Sequence, residues 1–336
     1  MIFMSKTIKL KLRKTFFLKP TAPFSFDKTI HKPDHFTSGD NIWQPGIRWQ
    51  TWRWRGVPLG LKIENSGSVN KPLVKIGIYT SPNLFLNSQE FKNRFFNDLI
   101  GEVSYFYNFN LDLKEFYRLF GKDRKLGPVI KRMRGMRPGQ PSSLYEYLIV
   151  GIVLQNASVR RSINMFRTLL ENFGTQVKFG RKELWCFWPP GGLKNVSELK
   201  LRKLKLGYRA KSIKKIDDYF GKKLINEFEL REQPCETQRR ELLALYGVGP
   251  ATVWYILFDV FHRWDVFDHI SPWEQKIYSK LWFGKETTNP VSVDKLLRFI
   301  NKYGKYKHLA VHYFWEDLWW QHKEQQIDWL RKEIRA

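Results

Sequence analysis

The sequence predicts an α+β protein: an N-terminal antiparallel β-rich domain over residues 1–108, then an all-helical domain over residues 109–336. Two patterns predict it. Up to about residue 105 apolar and polar residues alternate at a period of two, which suits strands with one buried face; from Leu111 onward the apolar residues recur at the helical period. No internal repeat or low-complexity linker interrupts the chain.

Taken in order, "MIFMSKTIKLKLRKTFF" alternates basic and apolar residues. A secretory leader needs an uninterrupted apolar segment, so this stretch is expected to be a strand. "IRWQTWRWRG" and "LGLKIEN" continue the alternation, and "KPD", "NSGS" and "TSPN" supply turns. "DLKEFYRLF" is expected to be a helix capped by Asp112. "SLYEYLIVGIVLQNASVRRSINMFRTLLENFG" reads as one long apolar helix that stops at Gly174. Shorter helices follow in "SELKLRKLKLG", "AKSIKKIDDYFG", "TQRRELLALYG" and "PATVWYILFDVF". "SPWEQKIYSKLWFG" and "KHLAVHYFWEDLWWQHKEQQIDWLRKE" close the chain.

Charge narrows the partner. The 58 Lys and Arg against 32 Asp and Glu leave a net charge of +26, which suits a polyanion, nucleic acid first. A basic soluble surface without such a partner is the plainer reading of the same excess. No basic amphipathic helix stands apart from a core role, and no run of about 18 apolar residues occurs, so no membrane is expected. Cys186 and Cys235 are the only cysteines, far apart, which argues against a disulfide framework or a cysteine metal site. An intracellular setting fits, cytoplasm and nucleoid or nucleus. Fourteen Trp among 16% aromatics exceed what a core alone asks for, and suit base stacking beside so many cations.

The most informative segment is Leu245-Tyr246-Gly247-Val248-Gly249-Pro250, between two helical patterns. A tight turn between helices explains it simply, since Gly tolerates positive φ and Pro opens a helix. It would also let a phosphate reach the Gly247 and Gly249 amides at the positive end of the second helix, which fixes position on DNA without reading sequence.

This hairpin, with another helix start at Ser271, resembles that of the helix-hairpin-helix–GPD superfamily of DNA glycosylases. Three further stretches are similar to its 8-oxoguanine and 3-methyladenine branches: "LRKLKLGYRAKSI", "QNASVRRSINMF" and "YGKYKHLAVHYFWEDL". The resemblance spans roughly residues 110–320. It implies that Asn156 fills the hole left by an extruded nucleotide, that Arg161 and Arg209 contact the orphaned partner base, and that Tyr208 wedges beside them. Base flipping costs a few kcal/mol of stacking and pairing, which such an insertion offsets in part. The flipped base would lie between Tyr255 and Trp315, with His312 lining the pocket. Without the resemblance, Arg160 and Arg161 read as a solvated helix face, and Tyr208, Tyr255 and Trp315 as core aromatics.

Two departures follow from the same alignment. The lysine that attacks the sugar in bifunctional members is Ala251 here, so Schiff-base chemistry is not expected at that position. The aspartate that stabilises the developing sugar cation is Ser271, which begins the helix as cap of a Ser271-Pro272-Trp273-Glu274 capping box. Asp268 and Glu274 are the candidate replacements, and His269 a candidate acid or base. His308 and His312, four apart on a helix, lack a third metal ligand and read as pocket lining or core. The implied activity is monofunctional hydrolysis of an N-glycosidic bond in double-stranded DNA carrying a modified base. The resemblance implies a monomer with no cofactor, apart from a monovalent or divalent cation at the hairpin. A non-catalytic damaged-DNA-binding relative and an RNA-binding protein are the alternatives.

Overall fold

The structure is a computed structural model that describes residues 7–33, 39–82, 88–140 and 142–335. The first six residues of the expected N-terminal strand, and Asp34 and Asn83 of two expected turns, lie outside the described residues.

The chain opens with β1 (Ile8–Lys9), β2 (Lys11–Leu18), α1 (Phe26–Ile30), β3 (Asn41–Gln44), β4 (Ile47–Trp54), β5 (Val57–Asn65) and β6 (Val74–Thr80). A five-stranded antiparallel sheet runs in the order β2-β6-β5-β4-β3. The next element corrects the expectation of β structure up to residue 105: Gln89–Phe106 is one helix, α2. Phe95, Phe96, Leu99, Ile100, Val103 and Phe106 recur at helical spacing and are buried, and Ser88 caps the helix by accepting the Phe91 amide. They pack on Trp52, Leu59, Leu61, Ile63, Ile76 and Ile78 of the sheet.

Then come α3 (Lys114–Phe120), α4 (Leu126–Arg132), α5 (Leu144–Leu154) and α6 (Val159–Phe173). Asp112 is not the cap of α3. Leu113 holds that position, and Asp112 Oδ1 instead takes the Lys114 amide at 2.9 Å. The single long helix expected to end at Gly174 is two helices, α5 and α6. Asn156 sits in the left-handed region at φ 46°, and Ser158 starts α6 by accepting the Arg161 amide. Ser158, which bonds the backbone of its own segment, breaks the pattern here.

The second part of the chain is not all-helical. β7 (Thr175–Phe179) and β8 (Lys182–Cys186) form an antiparallel hairpin, and β1 joins it in parallel through Ile8 opposite Val177. The hairpin leans on the larger sheet where the Phe179 ring crosses Gly60. A Cβ on Gly60 would lie 2.5 Å from that ring, so only glycine permits the approach.

The remaining helices are α7 (Glu198–Leu201), α8 (Arg209–Gly221), α9 (Glu227–Arg231), α10 (Cys235–Leu243), α11 (Pro250–Asp259), α12 (Pro272–Phe283), α13 (Val293–Asn301), α14 (Lys307–Gln325) and α15 (Asp328–Arg335), with a π-helical turn over Arg202–Leu206. The last expected helix is also split, at Gln326 (φ 44°). One apolar cluster joins α5, α6, α8 and α11 around Leu148, Ile152, Phe166, Ile213 and Leu257. A second joins α3, α4 and α12–α14 around Phe116, Tyr278, Trp282 and Tyr313.

Candidate nucleic-acid interface

Helices α10 and α11 meet through a turn over residues 244–249. The two glycines of the turn do different work. Gly247 has φ 84°, and a Cβ there would lie 2.4 Å from Ser212 Oγ on α8, so the backbone requires glycine. Gly249, the cap of α11, has φ −105°, and a Cβ would meet nothing within 4 Å. Its smallness serves no internal contact. Among the described residues, the amides of both glycines donate to no acceptor, at the positive end of the α11 dipole.

The α5–α6 break packs against this turn. Gln155 Nε2 donates to the Gly247 carbonyl at 2.8 Å, and Asn156 Nδ2 donates to the Tyr208 hydroxyl at 3.3 Å. Tyr208 caps α8 with its side chain 51% exposed. Residues from three distant parts of the sequence therefore share one surface: Gln155 and Asn156, Tyr208, and Gly247 to Gly249. Arg161 is exposed, and with Arg160, Asn164, Lys203 and Lys205 it lines a cleft of 710 Å³ that holds no carboxylate.

Arg209 does not reach this surface. It is 2% exposed, donates through Nη2 to the Gln155 carbonyl and stacks its guanidinium 4.7 Å over the Tyr208 ring. Contact with a base needs an accessible guanidinium. This one braces the turn and the tyrosine instead.

At the start of α12 the expected capping box is formed. Ser271 Oγ accepts the Glu274 amide at 3.3 Å, and Glu274 Oε2 accepts the Ser271 amide at 2.9 Å. Glu274 Oε1 accepts from the Tyr255 hydroxyl at 2.7 Å. Both Glu274 oxygens are thus engaged in a side chain that is 7% exposed, while the Tyr255 ring is 44% exposed. Tyr278 lies beneath; burial, with Glu274 beside it, pushes its phenol well above the ordinary range. Its ring stands 6.1 Å from Trp315, which meets Trp273 edge-on at 5.5 Å. Tyr255 and Trp315 are therefore tied to one frame through Glu274 and Tyr278. Asp268 is exposed and pairs with Lys307 at 3.2 Å, and His269 is exposed on the same loop.

His312 is mostly buried. Its Nε2 lies 3.3 Å from Lys32 Nζ and 4.0 Å from Glu316, and its ring tilts on Phe258. His308 stacks on Phe258 with Nδ1 2.7 Å from the Val266 carbonyl, and burial holds it down at about 3. No group of three or more His, Cys, Asp or Glu fit to hold a metal occurs among the described residues. No described helix is long and apolar enough to cross a membrane.

Several participants went unnoticed in the sequence. Lys307 lies in a quoted motif, yet nothing in its spacing says that it faces Asp268. Lys32 approaches His312 from across the chain, a contact with no local signature. Lys203 and Lys205 could have been found as a cationic run in "LRKLKLG".

No family model matches the chain. The DNA-3-methyladenine glycosylase of Bacillus subtilis (strain 168) is 21% identical over 166 residues, covering 48% of this chain and 53% of the relative. The chain thus spans about half the length of that curated relative. The 3-methyladenine DNA-glycosylase from Archaeoglobus fulgidus superposes with a TM-score of 0.71 at 16% identity, over 92% of this chain and 99% of that one. The Clostridium acetobutylicum 8-oxoguanine glycosylase/lyase, solved with dsDNA containing cytosine opposite to 8-oxoG, gives 0.64 at 18% identity over 95% and 98%. From the sheet to the closing helices, the chain has the fold of the 8-oxoguanine and 3-methyladenine DNA glycosylases.

Proposed function

We propose that the protein is a DNA glycosylase that binds duplex DNA, turns one modified nucleotide out of the helix and hydrolyses its N-glycosidic bond. The observation that carries this reading is the convergence of the Asn156 turn, Tyr208 and the open amides of Gly247 and Gly249 on one face. In this reading those amides hold a backbone phosphate of the strand carrying the lesion. Asn156 and Tyr208 enter the duplex, and Arg161 meets the orphaned base, while Arg209 acts as a positioning residue behind them. Tyr255 and Trp315 take the base, each face contributing about 1–3 kcal/mol by stacking.

Hydrolysis passes through an oxocarbenium-like sugar, which a carboxylate stabilises. Ser271 supplies none, so the charge falls to Asp268 or Glu274. Ala251 offers no amine, and the attacking group is water. Single-turnover base release from duplexes each bearing one modified base, developed with hot alkali, tests this. Asp268→Asn or Glu274→Gln should slow release at least about a hundredfold while leaving binding nearly intact. Equal rates in the parent and both variants would remove these acids from the chemistry. Borohydride should trap no adduct through position 251.

A second reading has its own support. Glu274 spends both oxygens on the cap and on Tyr255, and Asp268 is paired with Lys307. A protein that binds distorted DNA without cleaving the glycosidic bond fits those engagements. It becomes the better account if no modified base is released.

A further inference from the structure

A cleft of 960 Å³ opens at the first turn of α5, walled by β4, α2, the end of α8, and α9. Since α5 is 11 residues long, the cleft lies about 15 Å along the helix axis from the Asn156 turn. Its aromatic wall includes Trp52, Trp54, Phe106, Tyr145, Trp188 and Phe220. Phe228 on its wall is 52% exposed, and Leu224, between the lining residues Lys223 and Ile225, is 66% exposed.

The charge here runs against that of the chain. Asp98, Glu102, Glu146, Glu227 and Glu229 outnumber the cations Arg53, Arg55, Lys223 and Arg231. Most are paired among themselves: Arg231 bonds Glu102 at 2.8 Å and also Glu227, and Arg55 bonds Asp98 at 2.6 Å. Glu146 has no cationic partner among the described residues; its contact is the Ser143 amide at 3.1 Å. Burial, with Asp40 and Glu227 nearby, pushes its carboxyl up to about 7.

We propose that this cleft docks a partner polypeptide presenting an apolar anchor beside a lysine or arginine. The anchor would pack on Leu224 and Phe228, and the cation would pair with Glu146. A polypeptide supplies both at once, whereas a nucleic-acid phosphate would face the carboxylates. This site stands independently of the glycosylase reading.

Anisotropy of a short fluorescein-labelled peptide of repeating Gly-Leu-Arg units tests it. A net charge of +26 repels such a peptide elsewhere, so saturable binding reports a local site. Glu146→Gln keeps an oxygen for the Ser143 amide and removes the charge; it should weaken binding about tenfold. Leu224→Ala, at an exposed position, should weaken it about fivefold. Absence of saturable binding, or equal binding by both folded variants, would each overturn the proposal.

Discussion

The two ends of α5 are chemically opposite. Just beyond its last turn Asn156, Arg160 and Arg161 stand exposed, and Arg160 and Arg161 share with Lys203 and Lys205 a cleft that no carboxylate lines. At its first turn carboxylates gather among buried aromatics, and two of the four cations there, Arg55 and Arg231, are already paired. One helix thus separates a surface suited to phosphate from one that repels it. The excess of Lys and Arg measures an average, and the fold decides where the average is broken.

The sharpest way to break this comparison is at the turn beside the basic end. Gly249→Val meets no internal contact, so the fold should survive, while duplex affinity should fall at least about tenfold if a phosphate approaches there. Gly247→Ala differs in kind. Forced into a left-handed backbone against Ser212, it should lower the melting temperature, with a cost of about 1–3 kcal/mol. If Gly249→Val binds duplex DNA as the parent does, the basic end loses its phosphate site.

A smaller effect separates the cations of the basic end. Arg160→Gln and Arg161→Gln should each lower the slope of log affinity against log salt by about 0.9 if they touch phosphate. If Arg161 instead reads the orphaned base, its variant should also relax preference for the base opposite the lesion. Glu146→Gln at the other end should leave the salt slope unchanged. A changed slope there would merge the two regions into one electrostatic surface.

A further test reads stability against pH. Burial holds His262 and His308 down at about 3, so both are neutral when folded and gain a proton only on unfolding. Their contribution is present above about pH 6.5 and is lost as pH falls towards 3, at up to about 1.4 kcal/mol per unit for each. Glu146, pushed up to about 7, has the opposite sign: its contribution is full below its unfolded value and declines as pH rises through 7. Between pH 6.5 and about 4.5 it therefore offsets part of the histidine loss. Denaturant melts of Glu146→Gln should show a steeper fall on acidification than the parent. An identical slope would mean that Glu146 is not buried as an uncompensated acid.

How much was legible in the sequence varied with the range of the interaction. The Ser271 capping box and the Gly-Val-Gly-Pro turn are written in adjacent residues, and both form. The α2 helix was also written, in Phe95, Leu99 and Val103, but was masked by the alternating strands before it. The α5–α6 break was hidden because polar Asn156 and Ser158 interrupt only briefly a run whose apolar residues keep the helical period on both sides. Burial of Arg209 and pairing of Asp268 with Lys307 depend on where distant segments come to rest. No local pattern encodes them.

The parallel pairing of β1 with β7 bears on the order in which the polypeptide can mature. Thr7 bonds Gln176 across 169 residues of sequence, so the three-stranded sheet cannot close until more than half of the chain has left the ribosome. A fragment ending at residue 108 would keep the larger sheet and α2, yet β1 would have no neighbour, and Gly60 would face the space that the Phe179 ring fills. Supplied in trans, the remainder of the chain would have to bring β7 to both places. The two halves should therefore work as complementing fragments rather than as separable modules.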